Sequence, residues 1–148
     1  HLALESIGGK CEMMSEIDKN CQKVYKQNFP KTKIKGDICE LNKNSSNIPD
    51  HDVLCAGFPC QPFSKGGHRL GFEDTRGTLF YEIAKIIEVK RPEYLILENV
   101  PNLIGHDQGN TWKTISKCCF CSWPTTYRIS SHFLSSILRM MQARSVAE

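Results

Sequence analysis

Several things this sequence lacks narrow it before any motif is read. No run of about eighteen apolar residues occurs, so no stretch reads as a membrane-crossing helix. The opening "HLALESIGGK" has neither the charged nor the apolar region of a secretory signal. A strong charge of one sign is also missing. The 19 Lys and Arg exceed the 16 Asp and Glu by three, which admits a nucleic-acid partner only through a local basic patch. There is no internal repeat and no evident interdomain linker. The expectation left by these absences is a soluble, cytoplasmic chain with no membrane partner, 148 residues long and close to one domain in size.

Cysteine is the residue type in good supply, with eight copies. Cys11, Cys21, Cys39, Cys55 and Cys60 are scattered through apolar or helical contexts, which favours reduced thiols over a secreted disulfide framework. The other three crowd into "SKCCFCSW" as Cys118, Cys119 and Cys121, with His132 following. The two paired knuckles of an ordinary zinc site are not there, so no metal is expected.

Periodicity divides the chain into alternating elements. "LALESI" places Leu2, Ala3 and Ile7 near one helical face, and Gly8-Gly9 supply a stop. "KCEMMSEI" alternates as a strand with Cys11 and Met13 on one side, ending in Glu16. Asp18 is placed to cap a helix over "KNCQKVYKQNF", in which Cys21, Val24, Tyr25 and Asn28 share a face until Pro30 prevents continuation. "TKIKGDI" reads as a strand ending at Asp37, and "CELNKNSSNIPDH" as a loop with one helical turn. "DVLCAGF" is a short apolar run of the kind expected for a strand buried on both faces. In "GTLFYEIAKIIEVKRP" the residues Leu79, Phe80, Ile83, Ile86 and Ile87 recur at helical spacing. "EYLILENV" is another buried strand, and "GHDQGNTWKTI" opens a helix capped near Asp107. After Ile115 this grammar stops, apart from a helix expected over 131–143 with Phe133, Leu134, Ile137, Leu138 and Met141 as its apolar face. Strands alternating with helices imply an α/β fold with a parallel sheet, whose ligands gather outside the carboxyl ends of the strands. Four strands would then bring Glu16, Asp37, Pro59-Cys60-Gln61 and Glu98-Asn99 to one edge.

The chemistry those strand ends suggest begins with "GFPCQPFSKGG". A thiol is a useful nucleophile when exposed, fixed and assisted. Pro59 and Pro62 restrict the backbone around Cys60, while Gly57, Gly66 and Gly67 allow the loop to turn. On these residues alone Cys60 is equally a small buried hydrophobe. Glu98 ends the apolar "YLIL", where a partly buried carboxylate with a raised pKa would serve as a general acid; a helix cap or surface ion pair is its structural alternative. Glu16 suits ribose hydroxyls and Asp37 an exocyclic amine, although lone acids are more often solvated surface charges.

Taken together and in order, "GFPCQPFSKGG", "GFEDTRGTLFYEI" and "LILENV" resemble the central motif series of the DNA (cytosine-5) methyltransferases, of the bacterial restriction-modification type. "LALESIGG", "EIDKNCQKVYKQNFP" and "GDI" resemble the stretch just after that family's first motif, so the resemblance covers residues 1–115. It implies a partial Rossmann-like fold of the S-adenosylmethionine-dependent methyltransferases, mostly parallel, with its first strand missing. It further implies that Cys60 attacks carbon 6 of a flipped-out cytosine, that Glu98 holds or protonates ring nitrogen 3, and that S-adenosylmethionine gives its methyl group to carbon 5. By the same resemblance Glu16 binds the cofactor ribose, Ile17 packs on its adenine, Asp37 and Ile38 read the adenine edge, and Pro59 and Leu79 line the pocket. Gln61, Ser64, Lys65, Arg69, Arg76 and Asn99 belong to the DNA-facing catalytic loop, with His68 beside them. The implied partner is double-stranded DNA, contacted by a monomeric enzyme; a cognate restriction endonuclease is compatible with this but not as a physical partner.

The resemblance stops short at both ends. The family's glycine-rich first motif is absent, as are its Gln-x-Arg-x-Arg strand and target-recognition domain. Residues 1–115 therefore read as a partial catalytic domain, and 116–148 as an unassigned tail of frameshifted or non-native character. Two alternatives stay open: a catalytically inactive fragment acting as a binding module, and a thiol hydrolase or redox enzyme built on Cys60. The latter needs a partner base or a resolving thiol, and no histidine is evidently placed for it.

Overall fold

The computed structural model describes residues 1–58, 79–121, 127–130 and 138–143. The chain divides into two compact units, His1–Asp50 and His51–Glu148. Among the described residues no helix is long and apolar enough to cross a membrane.

The first unit opens with helix α1, Leu2–Glu5. Its end is marked by Gly8 at φ 92°, a left-handed conformation that a side chain would strain. The expected apolar face of this helix is not packed: Leu2 is 70% and Ile7 80% exposed. A helix of four residues has too little length to bury a stripe. Strand β1, Met14–Ser15, pairs in parallel with β2, Ile34–Lys35, in the register Met14↔Ile34 and Ser15↔Lys35. Ser15 Oγ donates to Gly36 O at 2.7 Å and extends that pairing past the ladder.

Between them runs α2, Lys19–Asn28. Asp18 caps it as expected, its carboxylate accepting from the amides of Asn20 at 2.7 Å and Cys21 at 3.0 Å. These two bonds hold the Asp18 carboxyl below its ordinary pKa, the Cys21 amide contributing most. The predicted face of Cys21 and Val24 is solvated, with Val24 58% exposed. Packing comes instead from an aromatic cluster, in which the His1 ring stacks on Phe29 at 3.9 Å and Tyr25 tilts against Phe29 at 4.8 Å. Tyr25 also meets His1 Nδ1 through its hydroxyl, and burial raises its phenol to about 12. The polar segment after β2 holds α3, Ile38–Asn42, then a short 3-10 turn over Ser45–Asn47. Leu41 and Ile48 are the buried apolar side chains of this segment.

The second unit is built on β3, Val53–Gly57, and β4, Tyr94–Glu98, joined in parallel from Val53↔Tyr94 to Gly57↔Glu98. Helix α4, Leu79–Lys90, precedes β4 and buries Phe80, Ile83, Ile86 and Ile87, the face its spacing predicts. Ile87 and Leu95 are 0% exposed; truncating such a buried aliphatic to alanine costs about 2–5 kcal/mol. Residues Asn102–Gly105 form α5 and Asn110–Cys121 form α6. Asp107 does not cap α6. It stands at φ 50°, next to Gln108 at φ 54° and Gly109 at φ 87°, in a 3-10 turn that redirects the chain between the two helices.

Among the described residues the structure departs from four further expectations. β3 is not buried on both faces, since Cys55 is exposed; the strand stands at one end of the order β3-β4-β6-β5. Helical structure continues past Ile115 to Cys121, with Cys119 fully buried and its thiol pushed up to about 12 by that burial, and further by Cys118. The helix expected over 131–143 is replaced, where residues are described, by β6, Leu138–Ala143, which pairs antiparallel with β4 and with β5, Tyr127–Ser130. The four strands expected in one parallel sheet form two parallel pairs in separate sheets.

Candidate functional site

Apart from Leu79, the predicted site residues that the structure describes fall at or just past the carboxyl ends of the two parallel pairs. In the first unit, β1 and β2 end side by side, so Glu16-Ile17 and Asp37-Ile38 leave the sheet at one edge. Glu16 N donates to Lys35 O at 3.1 Å, and one carboxylate oxygen turns back to accept from the Asp18 amide at 2.8 Å. Ile17 is 67% exposed, an apolar side chain left open next to two carboxylates. Asp37 caps α3, accepting from the Cys39 amide at 2.8 Å. Its structural role is thus visible, and its second oxygen is not needed for that bond.

In the second unit the pair β3 and β4 aligns Gly57 with Glu98. Glu98 is exposed, not partly buried as its apolar strand suggested. Its Oε2 lies 3.3 Å from the point where a Cβ on Gly57 would stand. The space left by the missing side chain is therefore what lets the carboxylate lie over β3. Asn99 is buried at 5% exposure, and both ends of its amide are engaged. Nδ2 donates to Phe58 O at 2.9 Å, and Oδ1 accepts from Val100 N at 2.9 Å. Phe58 is buried, its ring tilted against Phe80 at 5.4 Å. Leu79, half-buried, is the first residue of α4.

Pro59, Cys60, Gln61, Ser64, Lys65, His68, Arg69 and Arg76 lie outside the described residues, as do the Cys121 side chain and His132. Cys11, Cys21, Cys39, Cys55, Cys118 and Cys119 are thiols in the structure. Sequence reasoning missed Phe58 and the spatial role of Gly57. A signal for the second existed, since a strand-terminal glycine often marks a close approach, but its partner across the ladder is set by register alone.

The family model for the C-5 cytosine-specific DNA methylases matches residues 1–119 of this chain. The chain belongs to that family. Among curated relatives, this methylase chain is 52% identical over 114 residues to the Type II methyltransferase M.HhaI of Haemophilus parahaemolyticus, a match covering 77% of this chain and 34% of the relative. It is 56% identical over 106 residues to the Type II methyltransferase M1.ScrFI of Lactococcus lactis subsp. cremoris, covering 72% of this chain and 26% of that one. The methylase chain thus spans between about a quarter and a third of the length of these relatives. Its fold is that of the crystal structure of S. pombe Dnmt2 methyltransferase, with TM-score 0.64 at 21% identity, covering 99% of this chain and 47% of that one. The resemblance drawn from the motifs and the expected α/β methyltransferase fold are both borne out.

Proposed function

We propose that this chain carries the nucleophile and the acid of a DNA (cytosine-5) methyltransferase, with residues 1–115 as the catalytic segment and 116–148 as a tail with no assigned catalytic role. Cys60 adds to carbon 6 of a cytosine turned out of the duplex, and Glu98 holds or protonates ring nitrogen 3, so electron density moves to carbon 5. S-adenosylmethionine, when bound, would supply an electrophilic methyl group to that carbon, its sulfur–methyl bond breaking to leave S-adenosylhomocysteine. Loss of the carbon 5 proton then expels the Cys60 thiolate and leaves 5-methylcytosine on double-stranded DNA. The single observation that carries this reading is the register Gly57↔Glu98. It aligns the carboxylate of one strand end with the chain that reaches Cys60 three residues further on.

The residues at the β1–β2 edge fit the cofactor. Glu16 can accept from ribose hydroxyls and Asp37 from an exocyclic amine, and the exposed Ile17 offers a flat apolar contact for adenine. Ile38, Pro59 and Leu79 are proposed as further cofactor contacts. Lys65, Arg69 and Arg76 are proposed for phosphates, with Gln61 and Ser64 beside the extruded base. A second reading, that these 148 residues alone bind without transferring a methyl group, is supported by the share of the relatives' length that they span.

The test is covalent trapping. Residues 1–115 are placed in a full-length protein in lieu of the matching segment of a 52%-identical relative, and incubated with S-adenosylmethionine and duplex DNA bearing 5-fluorocytosine at the relative's target. Fluorine at carbon 5 blocks the final elimination, so an adduct that survives denaturation and maps to Cys60 is expected. A folded, cofactor-binding protein that gives no adduct, or an undiminished adduct in Cys60→Ser, overturns the reading.

A further inference from the structure

The Asn99 side chain is a buried polar group with its hydrogen bonds made, and its position in the fold is specific. The ladder between β3 and β4 ends at Gly57↔Glu98. One residue later on each strand, Asn99 Nδ2 donates to Phe58 O at 2.9 Å and carries the strand-to-strand connection past the ladder. The orientation of the amide is fixed by chemistry. Val100 N–H can only donate and the Phe58 carbonyl can only accept, so a flipped amide would set donor against donor and acceptor against acceptor. The Phe58 ring is also buried, tilted against Phe80. Phe58 also precedes a proline, which further limits its backbone. Phe58 is therefore a fixed post, two residues before Cys60.

We propose that Asn99 is a positioning residue: its amide ties the exits of β3 and β4 together and so sets the direction in which the chain leaves Phe58 toward Cys60. The importance of that direction for catalysis rests on the reading of Cys60 as the nucleophile. The bond itself needs a donor toward Phe58 and an acceptor toward Val100 at one branch length. Aspartate keeps the acceptor and loses the donor, and alanine loses both.

The experiment uses the 148-residue chain and reads thiol position, not methyl transfer. Exchange with dithiodipyridine is followed at each cysteine by mass spectrometry, from about pH 4 to about pH 8, with exposed Cys21 as reference and buried Cys119 as a reporter of the intact fold. In Asn99→Asp the ratio of Cys60 to Cys21 exchange should shift by about threefold or more at the upper pH. It should return toward the wild-type ratio as the introduced carboxyl takes a proton and can again donate to the Phe58 carbonyl. Asn99→Ala should shift the ratio at every pH. An unchanged ratio in both variants overturns the proposal. Cys119 opening together with Cys60, with no recovery at low pH in Asn99→Asp, assigns Asn99 to the fold alone and also overturns it. Because exchange reads the position of the thiol whether or not it attacks a base, failure here is distinct from failure of covalent trapping.

Discussion

At the scale of single residues, Gly57 and Asn99 work on opposite sides of one strand end, and neither is a chemical group in the reaction. Asn99 holds the Phe58 carbonyl, and Gly57 leaves space for the Glu98 carboxylate, the proposed acid. A methyl group on Gly57 would stand 3.3 Å from Glu98 Oε2, a distance the carboxylate can relieve by rotating. Gly57→Ala should therefore leave the melting temperature nearly unchanged, since alanine suits a strand no worse than glycine. Methyl transfer, measured with residues 1–115 in a full-length background, should fall by about tenfold through kcat, because a displaced acid is poorly aligned with ring nitrogen 3. Gly57→Val should be worse, since its branches reach further toward the same oxygen. Unchanged kcat in both variants would show that the carboxylate needs no such space. Chain order alone makes Cys60 and Glu98 candidates; the space over Gly57 and the Asn99 bond depend on a partner 41 residues away in sequence, which no local pattern encodes.

At the scale of elements, what was legible in the sequence is what local rules determine. Asp18 before a polar helix and the 3.6-residue stripe of α4 were read correctly because a cap and an apolar face are properties of neighbouring residues. Asp107 failed as a cap because the left-handed Asp107-Gln108-Gly109 turn intervenes before α6 begins at Asn110. Residues 138–143 failed for a different reason: a short apolar run fits either period, and pairing with β4, 40 to 48 residues earlier, decided it. The Asp18 cap makes a direct prediction for acid. Its carboxyl has a folded pKa below the ordinary value, so the cap contributes at pH above the unfolded carboxylate range and is lost as pH falls through the lowered folded value. Amide chemical shifts of Asn20 and Cys21 should therefore move with one midpoint lying below that of an ordinary aspartate. Asp18→Asn keeps an accepting oxygen and should abolish that midpoint while α2 stays formed; a midpoint surviving in Asp18→Asn would assign the titration to another group.

At the scale of the whole molecule, the proposed chemistry needs two sets of residues that belong to different units of this chain. The acids and Ile17 suited to a cofactor lie in His1–Asp50, and the strand end leading to Cys60 lies in His51–Glu148. Methyl transfer to carbon 5 needs donor and base in one desolvated site, held to within a fraction of an ångström for near-attack geometry. The chain spans 34% of the length of one relative and 26% of another, so most of what surrounds these residues in those proteins has no counterpart among the 148. Addition of a thiolate to carbon 6 and its alignment with the acid depend on local groups, whereas capture of the base out of a duplex draws on contacts spread along the DNA. The expected outcome is that the 148-residue chain incorporates tritiated methyl from S-adenosylmethionine into duplex DNA at background level, at least about a thousandfold below the full-length form. Residues 1–115 in the full-length background should restore incorporation, and Cys60→Ser should remove it again. Transfer by the short chain within about tenfold of the full-length form would mean that the two strand edges suffice for catalysis, and that the remaining length of the relatives serves target choice alone.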